Sequence, residues 1–217
     1  MTREANDDPS DGWFPESVAA GYDGPGGANA PDVVDPAVDL LAELADGGPV
    51  LELAVGTGRI AAPLAGRGVR VSGIELSRAM AARIGDKPGG EQVDVFRNAA
   101  AHLRPGGVFL VEVGIPDLRR MPPGQDTVPF EVAPRGGGGS VGFDRYDVAT
   151  QLFSSTHVTV TPDGGRFRSI PFRYAWPAEM DLMARIAGMR LKHRWADWDR
   201  SPFEHESTKQ VSVWEKV

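Results

Sequence analysis

The spacing of apolar residues in the first half of the chain alternates between a helical and a strand period. Residues 32–45 carry an apolar stripe at Val34, Val38 and Leu41, which predicts a helix that Asp32 caps and two glycines end. The same reasoning predicts buried strands at 49–55 and 69–74 and helices at 58–65 and 78–84. This order of strand, helix, strand and helix is typical of a parallel α/β sheet.

In the second half of the chain, strand patterns dominate. Residues 146–160 and 166–174 are rich in β-branched and aromatic residues on either side of a Pro-Asp-Gly-Gly turn, which predicts a hairpin. Segments 115–124 and 135–140 predict loops, the second of them rich in glycine. The pattern also predicts a helix at 92–103, a buried strand at 108–113, a helix at 177–187 and two last strands at 189–195 and 210–217.

These elements predict one α/β domain, a Rossmann-like, mostly parallel sheet with helices on both faces and an antiparallel hairpin insert. The length of 217 residues suits a single domain of this kind. Residues 1–12 are polar and have little to bury, so we expect a disordered leader there. The domain then spans 13–217, with the insert at 141–175 serving as a cover or an interface.

Charge and composition exclude several classes of function. The formal net charge of −7 disfavours nucleic acid as a partner, because an acidic surface repels a phosphate backbone. The absence of cysteine rules out disulfides and thiolate metal sites, and no other metal-binding motif occurs in the sequence. No apolar run has the length of a membrane span, and the polar N-terminus lacks the apolar core of a secretory signal. We therefore expect a cytoplasmic protein with a small-molecule partner.

The segment 52–58, Glu-Leu-Ala-Val-Gly-Thr-Gly, carries the clearest chemical signal. Between a predicted strand and a predicted helix, Gly56 and Gly58 allow a tight turn and a close approach of the backbone to a ligand. Glu75 ends the next predicted strand, where an acid accepts the ribose hydroxyls of an adenosine. Glu52 separates two classes of nucleotide, because a carboxylate before the turn disfavours a pyrophosphate and favours the cationic S-adenosylmethionine.

Two stretches around these residues resemble class I S-adenosylmethionine-dependent methyltransferases. They are residues 50–77, with the glycines and Glu75, and the helix–turn–strand stretch 99–112. The likeness is greatest to small-molecule methyltransferases of actinobacteria, including sugar N-methyltransferases, which also carry a hairpin insert. The resemblance implies transfer of a methyl group from S-adenosylmethionine to a nitrogen or oxygen of a small acceptor. It implies a cofactor site made of Tyr22, Glu52, Ala54, Gly56, Gly58, Arg59, Glu75, Leu76 and Met80.

The main departure from that family follows Gly90. The family has a third strand, an acidic turn, a fourth strand and a substrate loop there, whereas this chain continues directly into the predicted helix at 92–103. The third and fourth strands are therefore expected to be missing. Three explanations stay open: a naturally shortened protein, a sequence that lacks a segment, or a sheet rebuilt by pairing the strand at Val50 with the one at Val108 or with a partner subunit.

Transfer of a methyl group to an amine or hydroxyl needs positioning and, for some acceptors, a base. His157 and Tyr146 are the candidate catalytic residues, because they lie in the insert that resembles the family's substrate cover. Two other functions stay open: a cofactor-binding protein without transferase activity, because of the missing segment, and an NAD-dependent oxidoreductase, which the glycine pattern tolerates. The insert also predicts a homodimer, since an added sheet needs something to cover it.

Overall fold

The structure, a computed structural model, describes Tyr22 and residues 27–74, 92–116, 123–135 and 138–217. The predictions for the leader, for the helix at 78–84 and for Glu75, Leu76 and Met80 lie outside the described residues. The chain divides into two compact units, Met1–Asn98 and Ala99–Val217. Within the described ranges, no helix combines the length and the hydropathy that crossing a membrane requires.

The first unit contains a short parallel sheet and the helices beside it. In chain order its elements are a 3₁₀ turn (Gly27–Asn29), α1 (Pro31–Ala45), β1 (Val50–Leu53), α2 (Ala61–Gly66) and β2 (Val71–Ile74). β1 and β2 pair in parallel, with Val50 opposite Val71. Val38 of α1 and Leu64 of α2 are buried together against these two strand residues. The predicted order of strand, helix and strand is confirmed here.

Several local details of this unit differ from the expectation. The N-cap of α1 is Ala30, and Asp32 lies inside the first turn without a capping hydrogen bond. α2 is shorter than predicted, with six residues, because residues 59–60 form a turn before it. β1 was expected to be buried, but Leu51 and Leu53 are each 36% exposed.

The second unit is built from antiparallel strands. After helix α3 (Gln92–His102) come β3 (Val108–Gly114), β4 (Thr127–Arg135), β5 (Gly138–Asp147), β6 (Leu152–Thr161), β7 (Gly164–Arg173), α4 (Pro177–Ile186), β8 (Met189–Trp195) and β9 (Lys209–Lys216). One sheet has the order β3-β9-β8, and a second has the order β4-β5-β6-β7. Among the described strands, β1–β2 is the parallel pair and the other pairings are antiparallel. The fold is therefore a mixed α/β fold with several sheets.

The core of this unit surrounds β9, where Val211, Val213 and Trp214 are fully buried. A partly buried ion pair joins β8 to α4, since Arg194 donates to both carboxylate oxygens of Asp181 at 2.7 and 3.1 Å. Trp214 Nε1 donates to the same carboxylate at 2.9 Å. All three groups therefore have partners, which buried polar groups require.

The insert that the sequence predicts as a hairpin is a meander of four strands, β4 to β7. The predicted strand 146–160 is interrupted at 148–151, where the Asp147 carboxylate accepts hydrogen bonds from Ala149 N–H and the Thr150 hydroxyl. The predicted glycine-rich loop 135–140 instead contains the end of β4 and the start of β5. The turn at Pro162 is confirmed, since β6 ends just before it and β7 begins at Gly164.

Candidate functional site

The backbone after β1 has three left-handed positions within five residues, which we call the glycine turn (residues 54–58). Ala54, Gly56 and Gly58 have φ values of 57°, 58° and 91°. Gly58 N–H closes the turn by donating to the carbonyl of Val55 at 2.9 Å. Glycine adopts this backbone at no steric cost, whereas the Cβ of Ala54 is strained in it. The left-handed backbone therefore explains why glycine occupies positions 56 and 58 of the predicted motif.

A third glycine, Gly73 on β2, lets the glycine turn pack against the sheet. It lies opposite Glu52 in the parallel ladder. A Cβ at this position would come within 2.7 to 2.9 Å of the Val55 side chain, which is buried. Val55 N–H also donates to the carbonyl of Ile74 at 3.0 Å. The turn is therefore held on β2 by both backbone and side-chain contacts.

Glu52, the carboxylate before the turn, is held where water solvates it poorly. Its Oε2 atom is buried and has no hydrogen-bond partner. Burial raises the pKa of Glu52 to about 7, although the positive charge of Arg59 and the backbone N–H of Ala61 act in the opposite direction. An unsatisfied buried acceptor costs free energy, which a ligand with a positive charge or a donor would recover. Glu52 is therefore suited to the cationic end of a ligand.

Arg59 was predicted to start the supporting helix, but it lies in the turn before α2. Its Nη1 donates to the carbonyl of Ala28, 2.8 Å away in the 3₁₀ turn before α1. Asn29 Nδ2 in the same turn donates to the carbonyl of Tyr22 at 2.7 Å. Tyr22 itself is 41% exposed. The structure thus joins Arg59 to Ala28, and Asn29 to Tyr22, through hydrogen bonds that the sequence did not indicate.

The helix predicted from residue 58 begins later in the structure, since α2 begins at Ala61 and has only six residues. Gly58 lies before the helix, and its carbonyl accepts Ala62 N–H at 2.9 Å. What this turn offers to a ligand is therefore its backbone shape and the Glu52 carboxylate.

The candidate catalytic residues Tyr146 and His157 lie in the meander of the second unit. Tyr146 is opposite Phe153, and His157 is opposite Gly142, so both side chains point to the same face of the sheet. Because Gly142 and Tyr146 lie four residues apart on β5, the two side chains are separated by roughly 13 Å at 3.3 Å per residue. They are therefore too far apart to act together on one reacting atom.

Each of these two residues has a neighbour that the sequence analysis missed. The Tyr146 hydroxyl donates to Asp144 Oδ2 at 3.4 Å, and Asp144 Oδ1 is buried without a partner. The His157 ring stands edge-on to Phe130, with 5.1 Å between ring centres. Phe130 sits at a β-bulge of β4, and its ring occupies the space a Cβ at Gly142 would need. The two-residue period of β5 puts Asp144 on the same face as Tyr146, and the register of β4, β5 and β6 brings Phe130 to His157.

Comparison with solved structures assigns the family. No family model matches the sequence, and no curated protein matches it either. The CcbJ methyltransferase of Streptomyces caelestis is similar over 96% of this chain and 98% of its own, with 30% identity and a TM-score of 0.79. An amino pentose methyltransferase from Micromonospora echinaspora, solved with S-adenosylmethionine bound, has 17% identity and a TM-score of 0.56 over 85% of this chain and 91% of its own. A sugar N-methyltransferase from a Streptoalloteichus species has 18% identity and a TM-score of 0.53 over 85% and 87%.

The site is typical of a cofactor-binding α/β protein, because a strand leads into a glycine turn and an acid with a buried oxygen precedes that turn. The comparisons then identify the family. The chain belongs to the S-adenosylmethionine-dependent methyltransferases. S-adenosylmethionine is the cofactor of this family. The described residues fit it, because the unpaired Oε2 of Glu52 offers an acceptor to its positive ammonium and sulfonium groups.

Proposed function

We propose that this protein transfers a methyl group from S-adenosylmethionine to a nitrogen or oxygen of a small-molecule acceptor. The observation that carries the proposal is the buried Oε2 atom of Glu52, which has no hydrogen-bond partner, beside the glycine turn. Neighbours that act on amino sugars support a small acceptor and favour nitrogen as the methylated atom. The family assignment removes the NAD-dependent alternative, and Glu52 is also unfavourable for a pyrophosphate.

The cofactor supplies an electrophilic methyl group on a sulfonium when it is bound. The residues of this chain have the task of binding and orienting it. Glu52 would hold the positively charged methionine end, and the left-handed backbone at Ala54, Gly56 and Gly58 would let that end approach closely. We extend the proposed site to Tyr22 over the cofactor, and to Glu75, Leu76 and Met80 for the adenosine.

Tyr146 and His157 remain the proposed catalytic residues, and their separation makes them alternatives. Tyr146 has the stronger support, because its hydroxyl already donates to a carboxylate, and such a pair can take a proton from an ammonium or hydroxyl acceptor. If Tyr146 is the catalytic residue, Tyr146→Phe should lower kcat by about 100-fold; if His157 is, His157→Ala should do so. The other variant should retain nearly full activity, which makes each the control of the other. Full activity in both would remove both residues from the mechanism.

Calorimetry with S-adenosylhomocysteine tests the cofactor site directly. We expect binding to the wild-type protein, and an affinity for Glu52→Gln reduced about tenfold or more, since a charge-assisted contact is replaced by a neutral one. Glu204→Gln, at an exposed glutamate, is the matched control and should bind like the wild type. Failure of the wild-type protein to bind S-adenosylhomocysteine and S-adenosylmethionine would refute the proposal.

A second candidate function is a cofactor-binding protein without transferase activity. The sequence favours it, because residues 87–91 lead directly into the predicted helix at 92–103, and the resemblance places a third and a fourth strand before that helix. Single-turnover assays with radiolabelled S-adenosylmethionine over a panel of amines, amino sugars and phenols would distinguish the two functions. Labelled product supports the enzyme, whereas tight cofactor binding without any product supports the second function.

We also propose that the meander forms a homodimer interface. Cross-strand partners place Val132, Val141, Val158 and Phe167 in one row across all four strands. Val132 and Phe167 are 70% and 63% exposed, an unusual state for an apolar row. Light scattering should report a dimer that Phe167→Lys weakens, while Thr159→Lys, on the opposite face of β6, does not. A monomer at high concentration would contradict the proposal.

A further inference from the structure

Arg59 connects the glycine turn to the segment that precedes α1. Its Nη1 donates to the carbonyl of Ala28 at 2.8 Å, across 31 residues of sequence. The next residue, Asn29, donates through its side chain to the carbonyl of Tyr22 at 2.7 Å. Two hydrogen bonds therefore form a path from the turn that follows Glu52 to the segment at Tyr22.

The same arginine acts on Glu52 without occupying it. Its positive charge lowers the pKa of the Glu52 carboxyl against the larger effect of burial. Yet Oε2 of Glu52 has no hydrogen-bond partner, so the guanidinium does not fill the acceptor position of that oxygen. An arginine free to approach a buried carboxylate oxygen would be expected to form a bidentate pair with the carboxylate. The bond to Ala28 gives a physical reason why Arg59 does not.

We propose that Arg59 is a positioning residue: the carbonyl of Ala28 holds its guanidinium away from Oε2 of Glu52, so that this oxygen stays open to the cationic end of the cofactor. This inference rests on the proposed function in taking Glu52 as the anchor of the cofactor. It adds a consequence, because Ala28 then influences cofactor affinity through its hydrogen bond to Arg59.

The charges around Glu52 make this role testable. Among the described residues, the groups that act on its carboxyl are the Arg59 guanidinium and the Ala61 backbone N–H, and the backbone N–H does not titrate. Arg67, another arginine of the first unit, pairs instead with Asp35 and Asp39 on α1. Arg67→Gln therefore removes an equal charge from the same unit without touching Glu52, and it serves as the matched control.

The experiment measures S-adenosylhomocysteine affinity between pH 5.5 and 8.5 for the wild type, Arg59→Met and Arg67→Gln. In Arg59→Met, the midpoint of the pH dependence should move up by about one unit, because the cation that favours ionised Glu52 is gone. The affinity at pH 7 should fall about fivefold, while Arg67→Gln keeps the wild-type midpoint. A loss of fold or of packing alone would weaken binding at every pH without moving the midpoint.

Hydrogen exchange provides the second readout, on the protein without ligand. Arg59→Met should speed amide exchange at residues 27–30, since the hydrogen bond to the glycine turn is lost, and Arg67→Gln should not. An unmoved midpoint in Arg59→Met, or unchanged exchange at 27–30, overturns the inference. If the wild-type protein itself does not bind S-adenosylhomocysteine, the proposed function has failed instead, so the two failures are distinguishable.

Discussion

The protonation of Glu52 should couple both stability and cofactor binding to pH, with opposite signs. Its pKa is about 7 in the folded protein and 4.5 in the absence of burial. Between these values the folded state binds the proton that the unfolded state has already released. The free energy of unfolding of the protein without ligand should therefore fall as pH rises from about 4.5 to about 7. A difference of two and a half units amounts to about 3 kcal/mol, and partial exposure of the side chain reduces it.

Binding of S-adenosylhomocysteine should strengthen over the same range, because its ammonium group favours ionised Glu52. With a pKa of about 7, roughly 3% of Glu52 is ionised at pH 5.5 and half at pH 7. The affinity should then rise about fifteenfold between these two pH values. The amino group of the ligand stays protonated throughout, since α-amino groups titrate near pH 8.

Calorimetry in two buffers of different ionisation enthalpy checks this directly. Binding at pH 5.5 should release nearly one proton, and binding at pH 7 about half a proton. Glu52→Gln, which cannot titrate, should release none and should show no rise in affinity across this range. The same variant should be more stable than the wild type above pH 7 in urea unfolding. Equal proton release from the wild type and Glu52→Gln would refute the reasoning.

Three further predictions concern the packing that supports this site and its neighbouring unit. Ala54→Gly should raise the unfolding free energy by up to about 1 kcal/mol, because relief of the left-handed backbone strain outweighs the added entropy of glycine in the unfolded chain. A clearly lower unfolding free energy of this variant in urea would contradict the strain. Gly73→Ala should destabilise the protein by about 1–3 kcal/mol and weaken S-adenosylhomocysteine binding, because the added Cβ overlaps the side chain of Val55. An unchanged midpoint in thermal unfolding would show that the glycine turn can move away from this Cβ. Asp181→Ala should lower the unfolding free energy by about 2–3 kcal/mol, because the guanidinium of Arg194 loses its carboxylate, whereas Asp181→Asn keeps an acceptor and should cost less. Equal losses of unfolding free energy for the two variants in urea would argue against the ion pair.

The first unit could be predicted closely because its signals are local. A helical stripe and two apolar runs determine α1, β1 and β2, and each lies within a few residues of its predicted place. The acid before the glycine turn likewise points to a cationic ligand from chemistry alone. The degree of burial of Glu52 could not be predicted, because it depends on side chains that come together only in the fold.

The meander was harder to predict because its strands contain residues that usually break strands. β4 includes Pro129 and Pro134, and it lies at the edge of its sheet, where a missing N–H is tolerated. β5 begins at Gly138, where a Cβ would lie 2.2 Å from the carbonyl oxygen of Val160 on β6. Glycine there permits close approach of two strands, yet in the sequence it has the appearance of a loop.

Glu52 and Ala54 both retain a local cost at the same turn. A buried carboxylate oxygen without a donor and an alanine in left-handed backbone each destabilise the protein without ligand. Elsewhere in the described chain a comparable carboxylate, that of Asp181, is fully paired by an arginine and a tryptophan. An arginine is also available near Glu52, but it donates to the carbonyl of Ala28 instead. A cation that could satisfy Glu52 is thus directed elsewhere, which agrees with the proposed role of its unpaired oxygen in holding the cofactor.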